Sequence, residues 1–360
     1  MDFFDQETHA KRRTRLLLCL FGLAVFAFVV LTYLILAVPI RFFSPALATG
    51  TTFFQFIWEP RLAFWVTTGV LVSTAIGCFY KMCVLSGGGP AVAELLGGRK
   101  VQDNTTDFEE KRLRDVVEEM AVAAEVPVPE IYVLDCERGI NAFAAGHTRD
   151  DVAIGVTFGA LKLLSRDEIQ GIIAHEFSHV ANGDTRLNMK LMALAHGLFW
   201  PTIAGRVLIR GTTRAPEIGE SIFDQGADPV FLPTAPLGVL FLIVGGITAP
   251  SVRLIKSLIC RQREWLADAA AVQFTRNPAG LAGALKKIGG LYKAGRLDTP
   301  FAETASHLYF ANSAYEPWFG FLSTHPPLAK RVLAIDPAFD GQFPHINSLP
   351  RQTDETTQEK

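Results

Sequence analysis

The chain has 360 residues, enough for one or two domains with a substantial core. Its 34 basic and 36 acidic residues leave a formal charge of −2, which argues against a nucleic-acid binder and its usual basic excess. Charged residues are only 19% and hydrophobic residues 49%, so the composition points to a membrane protein rather than an ordinary soluble enzyme.

Residues 16–40 carry no charge, a run longer than the ~20 residues that cross a hydrocarbon core. "KRRTR" at 11–15 precedes it. The run is too long for a signal peptide, and Val38-Pro39-Ile40 is a poor cleavage site, so an uncleaved anchor is expected. A second charge-free run covers 62–80, and the short connection holding Arg41 and Arg61 makes the two a hairpin. The basic cluster places the N-terminus in the cytoplasm, and Lys81, Arg99 and Lys100 after the second helix agree. From about Ser86 the chain should therefore continue on the cytoplasmic side.

"SGGG" at 86–89 lacks the G-x-x-x-x-G-K-[ST] spacing of a phosphate loop and reads as a flexible exit from the membrane. Phe108, Leu113, Val116, Val117 and Met120 recur at helical spacing over 107–124. Segments 130–134, 141–146 and 151–157 are β-rich and suggest a small sheet beside helices. Two further apolar stretches, at about 188–209 and 230–252, are expected to form a second hairpin. Arg253, Lys256, Arg261 and Arg263 follow it closely. The rival reading buries this pair within the fold or lays it at the interface. A helix is expected over 253–274, and a polar tail over 336–360, disordered beyond Pro350. The five cysteines, Cys19, Cys78, Cys83, Cys136 and Cys260, are odd in number and form no C-x-x-C, so they read as reduced and structural.

The chemistry is carried by "IIAHEFSHVANGD", 172–184. Ser165 with Glu168 fits a capping box at the start of its helix, and Asn182-Gly183 gives a stop signal. Ile169, Ile173, Phe177 and Val180 form an apolar stripe. His175 and His179 are four residues apart, about 40° on the helical wheel, so they share one face. Two imidazoles one turn apart can close on one metal, while Glu176 is placed to reach a water at that metal. The bland alternative is a solvated helix with two surface histidines. A catalytic zinc needs a third protein ligand. His9, His147, His196, His307, His325 and His345 have no obvious partner in the sequence, whereas Glu264 in "RQREWLADAAA" has Asp268 one turn later. That pair reads equally well as a solvated charged face with Arg261 and Arg263 as local partners.

"AHEFSHVANGD", "RQREWLAD" and "THPPLAKR" together resemble the HtpX-type membrane metalloproteases, relatives of the CAAX prenyl proteases. The N-terminal hairpin, "SGGG…LGGR" and "NAFAAG" occur in the matching order, so the resemblance reaches to about residue 335. It implies a mainly α membrane protein: a transmembrane hairpin in 1–85, then a helical, gluzincin-like zinc-protease domain with a small β-sheet in 86–335. It further implies one Zn2+ per chain on His175, His179 and Glu264, with Glu176 as general base and Asp268 holding a ligating histidine. Asn141 matches a substrate-binding position at the head of an edge strand, and His325 and Arg331 match groups that stabilise the reacting carbonyl. Trp265 stands where a tyrosine or phenylalanine is common, which keeps an aromatic at that site.

The implied activity is cleavage of misfolded or damaged membrane proteins at the cytoplasmic face of a bacterial inner membrane. Protein substrates and the lipid bilayer are the expected partners, and no nucleic acid. Three alternatives stand beside it: an inactive membrane scaffold with structural zinc, a transporter, and a prenyl-protein processing protease. Intact Glu176 opposes the first, and the scarcity of intramembrane ionisable residues opposes the second. The third has more membrane helices than the four at most expected here.

Overall fold

A computed structural model describes residues 3–42, 58–210, 235–291, 309–310, 325–347 and 349. The fold is mostly helical, with one small mixed sheet. Helix α1 (Phe3–Phe42) and helix α2 (Pro60–Val84) pack side by side as expected for a hairpin. Pro60 opens α2, where its missing N–H is no loss. The Glu59 N–H donates to Tyr33 Oη at 2.7 Å and ties the two helices together. Phe28, Tyr33, Ala37, Val66 and Val70 fill the seam. The outer faces expose Leu23, Phe26, Phe64, Trp65 and Phe79, the pattern of helices solvated by lipid rather than water. Among the described residues, Cys19–Val38 and Pro60–Leu95 are the stretches long and apolar enough to cross a membrane.

The expected glycine linker at 86–89 is ordered. Leu85–Gly87 forms a 3-10 turn, and Gly88 opens helix α3 (Gly88–Leu95). Backbone packing explains why glycine stands there: a Cβ on Gly89 would lie 2.2 Å from Ala145 O and 2.4 Å from Ala153 N. The Gly89 N–H donates to Asp151 O at 3.0 Å.

The sheet holds β1 (Arg99–Lys100), β2 (Glu130–Leu134), β3 (Ala142–Ala145) and β4 (Ala153–Thr157), in the order β1-β2-β4-β3. β2 runs parallel to β4, and β3 antiparallel to it, with Phe143 opposite Gly155. All three β-rich segments read from the sequence are strands, while β1 was not foreseen. Helix α4 (Phe108–Ala124) is capped by the Asp107 carboxylate, which accepts from the Glu109 and Glu110 N–H groups. Its inner stripe is Leu113, Val116, Val117 and Met120; Phe108, expected on that stripe, is exposed because it is the first helical residue.

Helix α5 (Phe158–Leu163) leads into helix α6 (Arg166–Ala181), which carries both histidines. The capping box forms as expected: Ser165 accepts from the Glu168 N–H, and Glu168 accepts from the Ser165 N–H at 2.7 Å. Gly183, at φ +68°, breaks the chain direction before helix α7 (Asp184–Arg210), which contains Pro201. Helix α8 (Ala235–Thr275) is one continuous rod of 41 residues. It joins the apolar stretch expected to end at 252 to the helix expected to begin at 253, while residues 230–234 lie outside the described residues. Helices α9 (Pro278–Gly290) and α10 (Leu328–Ile335) complete the fold.

Helix α6 is central, packed by α4, α8, α9 and β3. Gly171 allows α9 to approach: a Cβ there would lie 2.6 Å from Leu281 N. The chain after α10 is not the free polar tail expected from 336. Asp336 pairs with Lys286 at 2.7 Å, Phe339 is buried, and Ile346 bridges to Leu291. The part expected to be disordered, beyond Pro350, lies outside the described residues.

Gly171→Ala should destabilise the protein by about 1–3 kcal/mol, since the clash is with backbone that cannot rotate away. The readout is the thermal midpoint in detergent. An unchanged midpoint would show that α6 and α9 can part freely.

Candidate metal centre

His175 and His179 lie one turn apart on α6, as the spacing required. Beyond its exposed first turn the helix is buried on every side: all of residues 171–180 are buried, both histidines included. This removes the reading of two surface histidines. Glu264 on α8 is also buried, which removes the solvated charged face. Among the described residues, His175, His179 and Glu264 form a group able to hold a metal, with ligand atoms within 4.8 Å of one another.

The two Nε2 atoms face each other at 3.2 Å. Glu264 Oε1 lies 3.6 Å from His179 Nε2, and Oε2 lies 3.8 Å from His175 Nε2. Ligand atoms held at about 2.0–2.2 Å around a tetrahedral ion stand roughly 3.3 Å apart, so the three donors are spaced to share one ion. The outer nitrogens are occupied. His175 Nδ1 donates to Asp268 Oδ1 at 3.0 Å, and His179 Nδ1 donates to Asp184 Oδ2 at 3.0 Å. With the Nδ1 atoms engaged outward, both Nε2 atoms lie beside the Glu264 carboxylate. Three electron-rich atoms then converge in a water-poor interior, an arrangement that favours a cation between them.

The surrounding charges sharpen this. Glu176, Asp184, Glu264 and Asp268 are buried, against the guanidiniums of Arg263 and Arg331. Burial opposes ionisation of Glu264, but His325, His179 and Arg331 overcome it and hold the carboxyl well below its usual range. Burial likewise opposes Asp268, and Arg331 and His175 outweigh it. Burial pulls His175 down to about 4, against the pull of Asp268. His179 goes the other way. Burial would lower it, yet Asp184 and Glu264 raise it to about 10, so positive charge is stabilised at the point where the ligand atoms meet.

Glu176 is buried beside the pair and accepts a hydrogen bond from the Ala144 N–H of β3. Burial pushes its carboxyl up to about 7, with His179 opposing and Glu264 adding to the rise. His325 Nδ1 lies 2.8 Å from Glu264 Oε2, which places it against a ligand oxygen. Arg331 is fully buried beside the cluster. Its Nε donates to Asp268 Oδ2 at 2.8 Å, Nη2 to Asp268 Oδ1 at 2.7 Å, and Nη1 to Phe310 O at 3.0 Å. Nη1 also lies 3.4 Å from Glu264 Oε2, so the guanidinium backs both Asp268 and the Glu264 carboxylate. Asn141 sits at the head of β3 as expected. Its N–H donates to Thr157 Oγ1 at 2.9 Å, and its side-chain Oδ1 accepts from the Ala142 N–H at 3.1 Å.

Three residues were not anticipated. Asp184 ends the very motif that drew attention, but it follows the helix stop at Asn182-Gly183, where the helical wheel no longer places it. Arg263 was read as a solvated neighbour of Glu264; it is buried, 2.7 Å from Asp184. Phe310 stacks edge-on against the His175 ring at 4.8 Å between centroids, and nothing in its local sequence signalled this.

Arg331→Met should destabilise the chain by about 3–5 kcal/mol, because Asp268 is then buried without its partner. Denaturation in detergent measures it. A loss below about 1 kcal/mol would mean that Asp268 does not depend on Arg331.

Comparison with known proteins identifies the family. The model of "Peptidase family M48" matches residues 107–338. A "Protease HtpX homolog" of Lactiplantibacillus plantarum is 32% identical over 335 residues, covering 92% of this chain and 98% of that one. Another, of Streptococcus uberis, is 30% identical over 270 residues, covering 73% and 84%. The crystal structure of S. mikatae Ste24p is 20% identical at a TM-score of 0.40, covering 77% of this chain and 64% of that one, too loose a likeness to argue from. The chain belongs to peptidase family M48 and is a membrane metalloprotease, a hydrolase with a buried His-His-Glu cluster able to hold a metal.

Proposed function

We propose that the chain is a membrane-anchored zinc endopeptidase that cleaves misfolded or damaged membrane proteins. The observation that carries the zinc chemistry is the meeting of His175 Nε2, His179 Nε2 and the Glu264 carboxylate between two distant helices. A nitrogen-and-oxygen donor set of three suits catalytic zinc, which takes three protein ligands and a water. Zinc bound there supplies a water of lowered pKa and polarises the scissile carbonyl.

The remaining work falls to side chains of this chain. Glu176 removes a proton from the attacking water and delivers it to the leaving amine. Burial raises the Glu176 carboxyl above the ordinary carboxylate range, the direction a proton acceptor and donor needs. Asp268 fixes the His175 ring, and Arg331 fixes Asp268. His325 orients the Glu264 carboxylate. Asn141 shapes the head of β3, along which an extended substrate would pair through its main chain. Tyr309 and Phe310 already meet this strand, with the Phe310 N–H on Ala142 O at 2.8 Å, so such a substrate displaces them or pairs beyond them.

The membrane reading divides the chain into the 1–85 hairpin, a protease domain over 86–335, and the residues beyond. α7 and α8 form a second membrane pair within that domain. Close crossings at small residues support it. A Cβ on Gly77 of α2 would lie 3.0 Å from the Gly197 Cα of α7, and Gly205 of α7 and Gly245 of α8 similarly let those two helices close on each other. Val239 and Ile243 expose apolar faces. The basic cluster at 11–15 sets the N-terminus, and with it the metal site, on the cytoplasmic side of a bacterial inner membrane. A site at that depth meets unfolded membrane proteins first.

Glu176→Gln should retain one zinc per chain and lose cleavage by about 10²–10⁴-fold. Metal analysis and casein hydrolysis measure the two separately, and a variant that cleaves at the normal rate would end the general-base assignment. In proteoliposomes, the enzyme should degrade a destabilised membrane protein in preference to its folded form. Equal rates on both forms, or cleavage of soluble proteins alone, would contradict the substrate class.

A further inference from the structure

The proposed chemistry makes no use of Arg263, yet this guanidinium is buried at 3% exposure beside the metal cluster. Its Nη2 lies 2.7 Å from Asp184 Oδ1, at ion-pair distance. Its Nη1 lies 3.4 Å from Asn188 Oδ1, one turn further along α7. The other oxygen of Asp184, Oδ2, accepts from His179 Nδ1 at 3.0 Å. A chain of contacts therefore runs from Arg263 through Asp184 to His179. Arg263 immediately precedes Glu264 on α8, so two consecutive residues serve the same centre, one directly and one through Asp184.

The His175 side has the same construction. There Asp268 takes the Nδ1 proton, and Arg331 holds Asp268 through two hydrogen bonds. Each histidine is thus backed by an aspartate, and each aspartate by an arginine. The left-handed turn at Gly183 makes the second set possible. It reverses the chain directly after α6 and returns Asp184 to the His179 ring five residues on.

We propose that Arg263 is a positioning residue for the metal centre: through Asp184 it keeps the His179 ring turned with its N–H outward and Nε2 toward the metal. The proposal rests on the metalloprotease reading of the same site. The physical reason is the expense of a buried carboxylate that loses the cation balancing its charge. With Arg263 gone, Asp184 is driven to rotate toward water. The imidazole then loses the acceptor that fixes its tautomer and its angle. The same contact fastens the first turn of α7 to α8 beside Glu264, so the ligand from α6 and the ligand from α8 are held in register by one side chain.

The test uses the full chain in detergent. Zinc affinity is read by chelator competition, and ligand geometry by the visible absorption of the cobalt-substituted protein. Arg263→Met should weaken zinc about 10–100-fold and alter the cobalt spectrum. Arg263→Lys, which keeps the charge, should recover most of the affinity. Asp184→Asn should also weaken zinc, and the Asp184→Asn/Arg263→Met double variant should be no weaker than the worse single change, because the two act as one unit. A lowered thermal midpoint with unchanged zinc affinity and an unchanged cobalt spectrum in Arg263→Met would overturn the proposal and leave Arg263 merely structural. Fully additive effects in the double variant would overturn it too. If Arg263→Met fails to fold, Arg263→Lys and Asp184→Asn decide by the same readouts. A wild-type chain that takes up no zinc would overturn the proposed function itself, an outcome separate from intact wild-type binding that ignores Arg263.

Discussion

The structure turns on one electrostatic constraint. Two imidazole lone pairs and a carboxylate are pressed together where water cannot screen them. Such a cluster repels itself unless a cation stands at its centre. Every nearby charge is arranged to keep it that way. The aspartates hold the imidazole protons outward, and the arginines keep the aspartates ionised and fixed. Burial, which would normally neutralise carboxyl groups, is overridden for Glu264 and Asp268 by these partners. At Glu176 burial wins against the opposing pull of His179 and Arg331. One interior thus contains carboxyls of two kinds, one set fixed in its charge and one poised to exchange a proton.

The fold supplies this arrangement by burying the histidine-bearing part of a helix, residues 171–180, on all sides. α6 is squeezed by α4, α8, α9 and β3, and the absence of a side chain at Gly171 lets α9 close in. α8 is the second support. Its first part exposes apolar residues such as Val239 and Ile243, and its second part carries Glu264 and Asp268 into the core. In the proposed membrane arrangement, a single rigid rod therefore links bilayer to metal centre. That would fix the height of the site relative to the membrane, and with it the substrates that can reach it.

Much of the site was legible because helices make spacing into geometry. His175 and His179 had to share a face, and the capping box at Ser165 and Glu168 marked where their helix begins. The strands at 130–134, 141–146 and 151–157 were legible from β-rich composition. What escaped was tertiary. Nothing local distinguishes Glu264 on a solvated face from Glu264 in a core; the answer lay in the match of three separated motifs. Asp184 escaped because it follows a turn, and Arg263 because a basic residue after an apolar run reads as a membrane flank. The "SGGG" stretch was misjudged because glycine signals either freedom or close approach, and only the sheet beside it decides. The residues after 335 were read as polar, although Phe339 and Phe343 pack against each other and the core.

X-ray absorption at the zinc edge of the zinc-loaded, full-length chain tests the central claim most directly. The account predicts two nitrogen ligands at about 2.0–2.1 Å and oxygen ligands at about 2.0–2.2 Å, with one metal per chain. Sulfur in the coordination shell, or a spectrum unchanged when Glu264 is replaced by alanine, would contradict it.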